Sequence, residues 1–122
     1  MARVKLTVKE VNNRNVFAAD ELTTALTAAV DASDGAEFVM DERDDKYLLL
    51  IQNAATAAKD VTIKAGNGIQ GVNDLTHSIA ASSFTFVQIE SGRFKNVTGA
   101  DKGKVIITGA SADIKVAVFR LP

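Results

Sequence analysis

Residues 47–53, Tyr-Leu-Leu-Leu-Ile-Gln-Asn, constrain this chain more than any other stretch. They form its longest apolar run, and a turn composition, Asn53-Ala-Ala-Thr-Ala-Ala, follows at once. Such a run between polar turns reads as a strand buried on both faces, or as a central strand under a cover. Val61-Thr-Ile-Lys then alternates before glycines break it at Gly66-Asn-Gly68. The spacing predicts a strand paired with 47–53 as its hairpin mate, with Val61 and Ile63 inward and Thr62 and Lys64 outward.

The remaining segments follow the same grammar. Val4-Lys-Leu-Thr-Val8 alternates and reads as one edge strand, whose lysines discourage stray pairing. Asn12–Asn15 is loop-like, and Val16-Phe17 is compatible with a short strand. Residues 20–31 admit two readings. Leu22, Leu26 and Ala29 fit helical spacing behind Asp20 as a cap, whereas Leu26, Ala28 and Val30 fit a strand. Frequent threonine tips that segment toward extended chain. Further strands are expected over Glu37–Met40, Leu75–Ala80, Phe84–Ile89, Lys104–Thr108 and Ile114–Phe119, with turns at Asp34-Gly35, Glu90–Gly92, Gly99–Gly103 and Gly109–Asp113. Short strands with turn signals at this spacing predict an all-β single domain: an antiparallel β-sandwich or small β-barrel of jelly-roll or Ig-like kind. Leu49, Ile51, Val61, Ile63, Val105, Ile107, Val116 and Val118 form the expected core.

At 122 residues the chain suits one domain, which buries roughly two-thirds of its unfolded surface. Cysteine is absent, so no disulfide or thiolate metal site supports the fold, as suits a reducing compartment. The first residues lack the apolar core of a signal peptide, and no run is long enough to predict a membrane span. A net charge of −1 argues against a general nucleic-acid binder. The charge is nonetheless uneven. Arg3, Lys5, Lys9 and Arg14 stand against Glu10 in residues 1–14, a stretch that reads as a basic N-terminal arm or an edge strand. Residues 18–45 hold nine acidic residues against Arg43 alone. Solvated loops explain such a pattern; so do complementary patches that meet in an assembly, which would make those four basic residues interface residues.

Side chains that could carry chemistry are few. His77 is the sole histidine and alternates with Leu75 and Ile79, so it reads as a hydrogen-bonded structural residue on the inward or interface face. Asp41, Glu42, Asp44 and Asp45 lack the spacing of a calcium loop. Gly66-Asn-Gly-Ile-Gln-Gly71 has the letters of a phosphate-binding loop, yet no helical pattern follows it, so its glycines read as turn glycines. Several serines would share one base. The chain is therefore expected to be no enzyme and to hold neither metal nor cofactor.

The order of motifs carries a resemblance. Leu48-Leu-Leu-Ile-Gln-Asn53 precedes Val61-Thr-Ile-Lys-Ala-Gly-Asn-Gly68 and Asp74-Leu75. Phe86-Val-Gln-Ile-Glu-Ser-Gly-Arg-Phe94 and a closing Val116-Ala-Val-Phe-Arg-Leu-Pro122 follow. From residue 20, and best from residue 47, this pattern resembles small virion structural proteins of tailed bacteriophages, of the head decoration or auxiliary capsid kind. The resemblance implies a β-sandwich or barrel made in the host cytoplasm and carried in the virion. It implies the major capsid protein or another virion protein as partner and a homo-oligomer, often a trimer; the charge and the apolar runs separately point to neither nucleic acid nor membrane as a partner. The alternative is a carbohydrate- or protein-binding β-sandwich, for which exposed aromatic residues or a secretion signal would be expected.

Overall fold

A computed structural model describes residues 3–10 and 34–121. Arg14, the 16–17 strand and the two-way reading of 20–31 lie outside the described residues. Strand accounts for 47% of the described residues, and helix for almost none, so the chain is an all-β, sandwich-like single domain. The strands are β1 (Val4–Lys5), β2 (Val8–Glu10), β3 (Ala36–Val39), β4 (Tyr47–Asn53), β5 (Lys59–Ile63), β6 (Leu75–Ile79), β7 (Ser83–Val87), β8 (Lys104–Gly109) and β9 (Ile114–Arg120). A 3₁₀ turn at Asp44–Lys46 leads into β4, and a one-turn helix, α1 (Ser91–Phe94), follows β7.

Two sheets face each other, ordered β1-β3-β8-β5-β6 and β2-β9-β4-β7. Leu49, Ile51, Val116 and Val118 fill the core from one side, and Phe38, Val61, Ile63, Val105 and Ile107 from the other. Each of these residues alternates with outward neighbours along its strand, which is why period-two patterning located the core. Tyr47 closes one end. Its ring lies 5.9 Å from that of Phe38, its hydroxyl donates to Asp41 Oδ1 at 2.8 Å, and it accepts the N–H groups of Asp41 and Glu42. Burial, and then the bond to Asp41, push the Tyr47 phenol up.

The expected hairpin of 47–53 with 61–64 does not form. β4 pairs with β9 and β7, and β5 with β8 and β6 in the opposite sheet. The two apolar rows meet across the core rather than side by side. Asn53 sits at the crossing. It ends β4 fully buried, and its Nδ2 donates to the carbonyls of Ala57 and Ile79, both at 2.9 Å. Its Oδ1 accepts the Ala55 N–H at 3.0 Å. Ile79 belongs to the other sheet, so this one amide ties the end of β4 to that sheet and satisfies backbone groups at the crossing.

Two further expectations are corrected. The 4–8 strand is split: β1 runs parallel to β3, Thr7 and the buried Leu6 bridge the gap, and β2 runs parallel to β9. The sheets are therefore mixed rather than purely antiparallel. One N-terminal segment edges both sheets because Leu6 fills the space between them, while Lys5 and Lys9 keep to the outside. His77 is exposed, not inward. It shares the parity of Leu75 and Ile79, but β6 is a sheet margin, and no opposite strand covers its middle among the described residues.

The outer face of the four-stranded sheet is also apolar. Phe86, Leu50 and Ala117 form one cross-strand row, and Leu48 and Phe119 are paired in another. Leu50 and Phe119 point away from the core and are still only 2% exposed. β4 is thus buried on both faces, as its unbroken apolar run requires.

Candidate functional site

The exposed large apolar side chains fall into two groups. Val39, Ile69, Val72 and Val97 lie toward one end of the five-stranded sheet, where β3 and β5 finish and β6 and β8 begin. Phe84 and Phe86 stand on the margin strand of the other sheet.

The first group centres on the β5–β6 connection, residues 64–74, which is held from several sides. Asp74 accepts the Ala65 N–H at 2.7 Å and the Lys64 ammonium at 3.0 Å, closing the loop at its neck. These two donors, the backbone one first, hold the Asp74 carboxyl below its usual range. Arg93 donates to the carbonyls of Asn73 and Asp74 while its guanidinium lies 4.8 Å from the Phe94 ring centre. Asn67 accepts the Val97 N–H at 2.7 Å and donates to the Thr98 carbonyl at 2.9 Å. The glycine spacing serves close packing. A Cβ on Gly66 would run into the Lys95 carbonyl, and one on Gly71 into the Gly66 carbonyl. The G-x-G-x-x-G letters thus describe a tight turn. At its tip Ile69 is fully exposed and Val72 is 75% exposed. A loop tied in this way presents apolar side chains with little ordering entropy left to lose on contact.

The second group lies on β7, Ser83-Phe-Thr-Phe-Val87. Phe84 and Phe86 share its outer side and are 55% and 58% exposed. They continue the apolar face of Leu50 and Ala117 to an edge that is unpaired among the described residues.

The basic residues are dispersed. Arg3 Nε meets Glu37 Oε1 at 3.0 Å and its other end meets Asp101 Oδ1 at 2.5 Å, while Lys104 Nζ meets Glu37 Oε2 at 2.8 Å. Burial pushes the Glu37 carboxyl upward, but the hydrogen bonds from Lys104 and Arg3 outweigh it and hold the carboxyl below its usual range. Arg3 is thereby committed within the molecule, whereas Lys5 and Lys9 are exposed on the margins of different sheets.

The acidic turn is dispersed too. Asp41 serves Tyr47 and Arg120, Asp44 accepts the Ser91 N–H at 2.9 Å, and Asp45 pairs with Arg43. Among the described residues no group of three or more acidic, histidine or cysteine side chains converges as a metal site would. Sequence reading missed Ile69, Val72, Phe84 and Phe86. Their only signal was an apolar residue inside a glycine-rich turn and two aromatics alternating with small polar residues.

Comparison with protein-family models, with curated proteins and with solved structures yields no match.

Proposed function

We propose that this chain is a non-catalytic assembly module of a phage virion, a head decoration or auxiliary capsid protein that docks on the lattice of the major capsid protein. It acts as a homo-oligomer, a trimer by the resemblance, and needs no cofactor. The observation that carries this reading is the stiff 64–74 loop presenting Ile69 and Val72 beside Val97. Apolar groups that are already ordered suit insertion into a fixed partner surface. A lattice multiplies contacts that are individually weak. The order of motifs from Tyr47 to Pro122 supports the virion part of the reading.

Sedimentation with purified virions or expanded capsid shells tests it. The full chain pellets with the particles, and Ile69→Asp, at an exposed position, lowers occupancy by about 10-fold or more without unfolding the domain. A chain that stays in the supernatant at micromolar concentration, and is absent from virions by mass spectrometry, ends the capsid reading.

One observation favours a second reading. Phe84 and Phe86, side by side on one strand, are the kind of exposed aromatic pair that a carbohydrate- or protein-binding sandwich uses. Chemical-shift changes confined to β7 on adding oligosaccharide would move that reading ahead.

A further inference from the structure

We propose that the edge of β7, which is unpaired among the described residues, pairs with β7 of a second copy of this chain, antiparallel and about a two-fold axis through Thr85. Between Asp74 and Glu90 the sequence contains no Asp, Glu, Lys or Arg, in a chain that is otherwise 24% charged. That neutral stretch is β6, its turn and β7, the two margin strands on one side of the sandwich. The opposite margins carry Lys5 on β1 and Lys9 and Glu10 on β2. Charged margins resist pairing, and a neutral, β-branched and aromatic margin invites it.

The partner is a second copy because an isologous contact sets each residue against the same surface. Any charge on this margin would face its own kind, and there is none. With Thr85 on the axis, Phe84 of one copy falls opposite Phe86 of the other, twice. Cross-strand aromatic pairs of that kind stabilise antiparallel ladders. Leu50 and Ala117, in the same cross-strand row as Phe86, are already buried, so the contact is confined to the β7 margin and its two phenylalanines.

Area sets the strength. At 55% and 58% exposure the phenylalanines of both copies offer roughly 450 Å². Even with the strand backbones added, this falls short of the ~1,200 Å² of a stable complex. The contact is therefore weak in free solution and grows with local concentration. It does not depend on the capsid reading, since it concerns the isolated chain, and the particle experiment above can fail or succeed independently.

Sedimentation velocity on the full chain, from about 10 μM to about 1 mM, spans the range expected of so small a contact. A dimer that grows with concentration is expected. Phe84→Lys alone and Phe86→Glu alone each weaken it by about 10-fold or more, because a charge must be desolvated against an aromatic ring. The double variant sets lysine opposite glutamate at both crossings and recovers most of the association. Thr85→Cys adds a direct test in a chain without cysteine. Directly opposed antiparallel residues lie about 4.5–5.5 Å apart at Cα, within reach of a disulfide, so mild oxidation should yield a covalent dimer. Ala112→Cys, exposed in the β8–β9 turn, is the control. A monomer throughout with no cross-linking above that control overturns the proposal. So does an oligomer that both single variants leave intact, or a double variant that recovers nothing.

Discussion

Two side chains show how much rests on single polar groups in this small domain. Asn53 is an amide with no solvent contact that both donates and accepts across the sheet crossing. Asn53→Ala should cost about 1–3 kcal/mol, the penalty for leaving buried partners unmet. Asn53→Asp should cost more, because a carboxylate only accepts, and it would face the carbonyls of Ala57 and Ile79. Urea unfolding of the two variants checks that order. Glu37 makes the case for pH. Its folded pKa lies below the unfolded value of ~4.3, so its contribution is fully present above that value and is lost as pH falls through the folded one. Glu37→Gln should therefore lower stability by about 1–2 kcal/mol at neutral pH, discounted because Arg3 and Lys104 are partly exposed. It should also flatten the decline below pH ~4.3. Unfolding midpoints across the acid range give both numbers. An unchanged acid slope would mean that Glu37 is not the group that titrates.

At the level of elements, the N-terminal segment is a structural part of both sheets. β1 and β2 hydrogen-bond to opposite sheets, and Leu6 between them is 9% exposed and packs in the core. Leu6→Ala should cost about 2–5 kcal/mol, and deletion of residues 1–10 at least as much. Thermal and urea unfolding decide the matter. An unchanged midpoint after deletion would make the segment an appended arm. The strands themselves were legible because alternation reports which side chains turn inward, and the eight residues expected in the core are all buried. Which strand lies beside which was not legible. Alternation is the same whether Val61 and Ile63 sit next to Leu49 and Ile51 or face them across the core, as they do. β7 was hard to read for a related reason: at a margin, Ser83 and Thr85 can turn inward while the phenylalanines turn out.

For the whole molecule, the two exposed apolar groups lie on different sheets and should act separately. Ile69→Asp should leave self-association unchanged. Phe84→Lys should lower particle occupancy only as far as occupancy depends on association between copies. Neither surface was visible in composition, because an exposed isoleucine and a buried one look alike until the loop around them is closed by Asp74, Arg93 and Asn67. The strand order has a consequence for biosynthesis. β9 comes after every other described strand, yet it lies inside its sheet, between β2 and β4. A nascent chain can assemble the β3-β8-β5-β6 ladder once Gly109 has emerged, but β4 and β2 then still lack the neighbour that joins them. Until synthesis reaches Arg120, β4 can pair with β7 on one edge, but its other edge awaits a partner more than fifty positions downstream. Loop closure over that span is slow, and the edge left for β9 is open to other chains meanwhile. Ribosome-bound chains stopped before Ile114 should therefore be sensitive to protease in β4, and chains in which Arg120 has emerged should resist it.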